Sequence, residues 1–167
     1  SAKTEIVVGG IDRVSSVKNA LDKLSADKPD FVLIHDAARP FLKEEIVNTI
    51  ISNLSRYEGV IPVLKIFDTV KRLDGPYVEK TVDRSLYGRA QTPQGFKLET
   101  IKAAHEQLNA DESFTPTDDC GIVMKYLPNT SIGIVDGDEK NIKINKVVGI
   151  NEDKTSDIKK NNLEIKN

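Results

Sequence analysis

The sequence predicts an α/β domain with a parallel sheet, on three observations. Short β-branched runs alternate with amphipathic stretches, the signature of βαβ units. Phe31-Val32-Leu33-Ile34 is an unbroken apolar run, which reads as a central strand covered on both faces. The length of 167 residues suits one hydrophobic core, with residues 1–150 as the domain and 151–167 as a polar tail or frayed helix.

Along the chain, Glu5-Ile6-Val7-Val8 reads as a strand ended by Gly9-Gly10, and Ser15-Ser16 as the N-cap of a helix carrying Val17, Ala20, Leu21 and Leu24 on one face. Pro29-Asp30 breaks the chain before the strand Phe31 to Ile34. The loop His35-Asp36-Ala37-Ala38-Arg39-Pro40 then sits at a strand's carboxyl end, where open α/β sheets place ligands. Ile46, Val47, Ile50, Ile51 and Leu54 repeat at helical spacing over residues 43–57, and a strand follows from Val60 to Leu64. Residues 67–89 change character. Asp74-Gly75-Pro76 between two alternating runs predicts a hairpin with too few large apolar residues to bury itself, and hence an arm that packs on a partner. Thr92 to Phe96 reads as a loop, Leu98 to Leu108 as a helix, and Thr117-Asp118-Asp119 as the cap of another. Ser131 to Val135 reads as a strand, and Asn141 to Ile144 as a short strand or extended exit.

Charge and composition exclude several classes. Lys plus Arg is 24 against 26 Asp plus Glu, a net charge of -2, which argues against a polynucleotide footprint. No apolar run approaches the ~18 residues of a spanning helix. The single cysteine, Cys120, forms no internal disulfide, and with no secretory apolar region near the start a cytoplasmic protein is expected. The start at Ser1-Ala2 reads as a processed end, an expression remnant or the edge of a longer polypeptide.

The chemistry-bearing residues point to a phosphorylated ligand. His35 and His105 lack partners at metal-ligand spacing, and His105 reads as core or surface. Ser15 and Ser16 read as caps, since no nucleophile elbow surrounds them, and Cys120 has no thiolate-activating motif beside it. Gly9-Gly10 with Arg13 and Ser16 lets backbone amides, a helix N-terminus and a guanidinium approach an anion. Asp36 and Arg39, three residues apart, suit a hard cation plus a phosphate, or else an Asp-capped turn with a local ion pair. Thr69, Lys71, Arg84, Thr92, Thr117 and Lys143 each read alone as solvated surface; together they are expected to converge on a phosphorylated small molecule.

Gly9-Gly10-x-x-Arg13-x-x-Ser16-Val17, the 35–41 loop ending in Phe41, Asp68-Thr69-Val70-Lys71, Thr81-Val82-Asp83-Arg84, Ala90 to Phe96, Thr117-Asp118-Asp119 and Asn141-Ile142-Lys143-Ile144 occur in order. This combination, spanning residues 5 to about 145, resembles the 2-C-methyl-D-erythritol 4-phosphate cytidylyltransferases of the non-mevalonate isoprenoid pathway. The run Arg89 to Phe96 is also similar to the form fused to a cyclodiphosphate synthase. The resemblance implies a glycosyltransferase-A-like (Rossmann-type), mostly parallel sheet, a homodimer joined by the arm, and Mg²⁺-dependent transfer of CMP from CTP to a polyol phosphate. It implies nucleotide contacts at Gly10, Arg13, Ser16 and Ala37, with Asp36 near the metal between nucleotide and acceptor. Arg39 and Lys143, with Thr69, Arg84, Thr92 and Thr117, are implied around the acceptor, Thr69 and Arg84 coming across the dimer.

The family's first strand and its loop Ala-Ala-Gly-x-Gly-x-Arg have no counterpart in these 167 residues, and Lys146-Val147-Val148-Gly149-Ile150 stands where the family has Pro-Glu-Asp-Leu. The expectation is therefore a fragment of a longer enzyme or a shortened product with impaired turnover. The alternatives are a ribitol-5-phosphate cytidylyltransferase and a non-catalytic binding or dimerisation remnant.

Overall fold

The computed structural model describes residues 4–24, 29–108, 111 and 113–144. The expected tail at 151–167 and the segment 146–150 lie outside the described residues. Helix α1 (Arg13–Leu24) leads to β1 (Phe31–Ile34), α2 (Glu44–Asn53) and β2 (Gly59–Lys65). A hairpin, β3 (Lys71–Asp74) and β4 (Tyr77–Thr81), precedes β5 (Gly88–Ala90), β6 (Gln94–Lys97), α3 (Leu98–Leu108), α4 (Asp119–Tyr126) and β7 (Ile132–Asp136).

The α/β class holds. The five-stranded sheet has the order β1-β6-β2-β5, with β7 also paired to β2. β2 and β7 pair in parallel, while β6 runs antiparallel to both β1 and β2, and β5 antiparallel to β2. β1, β2 and β7 therefore share one direction, which places their carboxyl ends on one rim. Successive residues alternate between the two faces. Val32, Ile61 and Phe96 join Leu21, Leu98, Ile101, Ile122 and Val123 under α1, α3 and α4. Val60 meets Ile46, Ile50 and Leu54 of α2 on the opposite face. Three layers result, with the sheet in the middle.

Several expectations are corrected. Thr92 to Phe96 is not simply a loop: Gln94-Gly95-Phe96-Lys97 forms β6, inserted between β1 and β2. Gly95 permits this, because a Cβ there would lie 2.5 Å from Ile50 Cγ2 of α2. Residues 5–8 do not form a strand, with Ile6 96% and Val8 84% exposed. They lean on α1 instead, through Asn19 Nδ2 donating to the Val8 carbonyl at 3.1 Å and Lys23 facing Glu5 at 3.8 Å. β1 is not central: among the described residues its only strand neighbour is β6, so it lies at the sheet edge. Beside it a cavity of about 410 Å³ is lined by Val17, Leu21, Leu24, Val32 and Ile34.

Helix α1 begins at Arg13 rather than Val17, because its cap is Asp12 and not Ser15 or Ser16. Asp12 Oδ1 accepts from the Ser15 N–H at 2.7 Å, and Ser15 Oγ accepts from the Asp12 N–H at 3.2 Å, a reciprocal capping box. α2 ends at Asn53, short of residue 57. Asn141 to Ile144 is an extended exit outside the sheet. The hairpin forms as expected around Gly75 at φ 54°, and both its strands are exposed throughout.

Candidate active site

The shared direction of β1 and β7 brings two distant loops to the same rim. From β1 the chain turns at once, the Arg39 N–H donating to the Asp36 carbonyl at 2.9 Å. Thr92, beside a cis Thr92–Pro93 bond, locks this turn: its hydroxyl accepts from the Asp36 N–H at 3.0 Å and meets His35 Nδ1 at 3.1 Å. His35 Nε2 then reaches the Arg39 carbonyl at 3.0 Å, so the histidine holds the loop rather than a metal.

The segment after β7 closes on this turn. Ile144 N–H donates to the Ala38 carbonyl at 2.8 Å, and Arg39 Nη1 donates to the Asn141 carbonyl at 2.7 Å. Two buried amides that sequence reasoning gave no role stitch the parts together. Gln91 Nε2 donates to the carbonyls of Asp138 (2.9 Å) and Asn141 (3.0 Å), while its Oε1 accepts from the Asp138 N–H at 3.0 Å. Asn141 Nδ2 donates to the Thr92 carbonyl at 2.8 Å. No local pattern marks these residues, because their partners lie about 50 positions away.

Asp36 is the centre. Lys143 Nζ lies 2.9 Å and Arg39 Nε 3.5 Å from its Oδ2, and Arg13 Nε lies 3.6 Å from its Oδ1. Burial pushes the Asp36 carboxyl up, but the Lys143 hydrogen bond and the charges of Lys143, Arg13 and Arg39 outweigh it and hold the group below the usual carboxylate value. Arg39 Nε is buried without a hydrogen-bond partner, its nearest counter-charge being the Asp36 carboxylate at 3.5 Å. Arg13 also donates from Nη2 to Asp119 Oδ2 at 2.5 Å. Three cations therefore face two carboxylates.

The other candidate residues fall into two groups. Gly10, Ser16, Ala37 and Thr117 adjoin the cluster in sequence or on the same turn. The Gly10 N–H donates to Ser16 Oγ at 2.9 Å, and that hydroxyl donates to the Asp12 carbonyl at 2.7 Å, shaping the entry to α1. Ala37 is exposed between Asp36 and Arg39, and Thr117 is exposed just before Asp118, which caps α4 by accepting from the Gly121 N–H at 2.8 Å. Thr69 and Arg84 are not brought to Asp36: both are exposed at the arm, where Arg84 Nη1 donates to the Phe67 carbonyl. Burial, with Asp118 and Asp119 adding to it, pushes the Cys120 thiol up to about 11, so it carries no thiolate near neutrality.

Among the described residues no group of three or more His, Cys, Asp or Glu side chains is placed to hold a metal. Asp36 offers a single carboxylate, which suits Mg²⁺, an ion that takes one or two carboxylates and completes its shell with phosphate oxygens and water.

Comparison with known proteins places the chain among relatives of one family. The family model described as 2-C-methyl-D-erythritol 4-phosphate cytidylyltransferase (IspD) matches residues 1–152. The bifunctional enzyme IspD/IspF of Paramagnetospirillum magneticum is 42% identical over 140 residues, covering 84% of this chain and 35% of that protein. The 2-C-methyl-D-erythritol 4-phosphate cytidylyltransferase of Geobacillus kaustophilus is 37% identical over 136 residues, covering 81% of this chain and 58% of that one. Among solved structures, 4-diphosphocytidyl-2C-methyl-D-erythritol synthase from Anaerococcus prevotii superposes with a TM-score of 0.81 at 33% identity, over 88% of this chain and 64% of that chain. The chain thus spans about a third to three fifths of the length of these curated relatives. With a family model matching residues 1–152, the chain belongs to the 2-C-methyl-D-erythritol 4-phosphate cytidylyltransferase family.

Proposed function

We propose that these residues serve transfer of CMP from CTP to 2-C-methyl-D-erythritol 4-phosphate, with release of pyrophosphate. The observation that carries this reading is the Asp36 carboxylate facing Arg13, Arg39 and Lys143, cations from three separate stretches. In the reaction an acceptor phosphate oxygen bonds to the α-phosphorus of CTP, and the bond from that phosphorus to the bridging oxygen of the β-phosphate breaks. No covalent enzyme intermediate is needed. The residues align two anions and neutralise the charge that builds on the phosphoryl oxygens.

In this reading Arg13, with the amide of Gly10, Ser16 and Ala37, faces the nucleotide. Arg39, Lys143, Thr92 and Thr117 face the acceptor. Lys143 and Arg39 would face phosphate oxygens, and Asp36 would hold Mg²⁺, which would supply charge neutralisation between the two substrates. Thr69 and Arg84 would reach the acceptor of a second copy through the arm, whose Phe67, Leu73, Tyr77 and Leu86 are each at least 67% exposed, an apolar surface suited to a homodimer. A cytoplasmic setting follows from the soluble substrates. Incubation of the protein with α-labelled CTP, Mg²⁺ and either methylerythritol phosphate or ribitol 5-phosphate tests the reading. Labelled product formed preferentially with methylerythritol phosphate is expected. Preference for ribitol 5-phosphate, or no binding of either acceptor, would overturn it.

A further inference from the structure

Arg13 is held from behind by a pair of buried groups that the proposed reaction does not use. Its Nη2 donates to Asp119 Oδ2 at 2.5 Å, and the other oxygen of that carboxylate faces His105 Nε2 at 3.4 Å. Asp119 is 0% and His105 2% exposed. The three residues come from α1, α3 and α4, so the contact exists only when all three helices are docked. His105 Nδ1 is buried without a partner, which favours the tautomer with the proton on Nε2, donating to Asp119, because a bare acceptor costs less than a bare N–H.

A fully buried carboxylate is an expensive way to pack a helix. Replacing a buried ion pair with apolar groups of similar volume is often neutral or stabilising, so packing alone does not account for this one. Its geometric effect is specific: Asp119 fixes Nη2 while Asp36 faces Nε at 3.6 Å, and among the described residues no acceptor is bonded to Nη1. A guanidinium is a rigid planar fork, and an arginine side chain otherwise has about 2 kcal/mol of rotamer entropy to lose on binding. Holding Nη2 beforehand, with Nε beside Asp36, removes part of that cost and leaves Nη1 without a bonded acceptor among the described residues.

We propose that His105 and Asp119 are positioning residues that pre-orient Arg13 toward the triphosphate of the nucleotide; the ligand named here rests on the function proposed above. The expected signature separates positioning from folding. Asp119→Asn and His105→Leu speed solvent exchange of the Arg13 Nε–H at least tenfold by NMR, with the signal assigned through Arg13→Lys. Both variants also weaken CTP binding about tenfold by calorimetry, while methylerythritol phosphate binding changes less than twofold. His105→Gln, whose amide can still donate to Asp119, retains most of both properties. Should Asp119→Asn fail to fold, His105→Leu carries the same test. A folded variant with unchanged Arg13 exchange and CTP affinity would overturn the proposal, as would equal loss of both ligands. If the unmodified protein binds neither ligand, the functional reading fails, and the Arg13 exchange rate alone decides whether the pair positions it.

Discussion

Replacing Asp36 with Asn tests whether the rim cluster is held together by its central charge. The substitution keeps shape and removes the one counter-ion that Arg39 and Lys143 share among the described residues. Removing one partner of a buried ion pair costs about 3–5 kcal/mol, whereas an exposed pair contributes about 0–1. Asp36 and Arg39 are 13% and 12% exposed, while Arg13 and Lys143 are 36% and 42% exposed and screened by solvent. Only the Arg39 contact therefore approaches the interior limit, and an intermediate loss of about 1–3 kcal/mol is expected at neutral pH. The folded-state pKa of Asp36 is depressed, so its contribution is fully present above the unfolded value of about 3.9 and is lost as pH falls through the folded value. Urea denaturation of both proteins, followed by circular dichroism, should show a gap at pH 7 that closes as pH falls below about 4; other carboxylates titrate in both proteins and cancel. Inorganic pyrophosphate should raise the midpoint of Asp36→Asn more than that of the unmodified protein, since Arg39 and Lys143 then lose the carboxylate they face, while Arg13 keeps Asp119. A gap below about 0.5 kcal/mol at pH 7, or one unchanged down to pH 3, would refute the electrostatic reasoning.

Gln91→Leu strips partners from three buried or half-buried backbone groups of the 138–141 segment and should lower stability by about 2–3 kcal/mol in urea, with weaker acceptor binding because Lys143 loses its support. Gly95→Ala places a methyl 2.5 Å from Ile50 Cγ2 and 3.2 Å from Leu54 Cδ1, so a loss of about 1–3 kcal/mol is expected with ligand affinity unchanged. Leu86→Lys on the arm should shift sedimentation from dimer toward monomer while leaving the melting temperature of the domain in place; a monomeric unmodified protein would count against the arm as an interface.

What the sequence made legible follows the range of the interactions. Helices α3 and α4 appear where apolar periodicity and the cap at Asp118 put them, because both signals are local. The hairpin is readable from Asp74-Gly75 for the same reason. Strand β6 was hidden because Gln94-Gly95-Phe96-Lys97 is flanked by turn residues, and its identity rests on pairing with β1 and β2, more than 30 residues away. The start of α1 was misplaced because two adjacent serines compete with Asp12 for the cap, and only geometry shows that Ser15 answers Asp12. Strand pairing at residues 5–8 was expected from composition alone, yet a β-branched run needs a ladder partner to become a strand. At the site, the family resemblance implied Asp36, Arg39, Arg13 and Lys143 together, which spacing alone did not, and the fold brings them together. Gln91 went without a role, His105 was read only as core or surface and Asp119 only as part of a helix cap, because buried polar side chains announce themselves only through their partners.

The proposed function depends on Arg39 and Lys143 forming one anion site with Asp36 at the sheet's rim. Calorimetric titration with methylerythritol phosphate tests it most directly. Saturable binding is predicted, weakened about tenfold or more, or about 1.4 kcal/mol, in Arg39→Ala and in Lys143→Ala, and weakened further as salt is raised. Absence of binding, or variants that bind as the unmodified protein does, would contradict it.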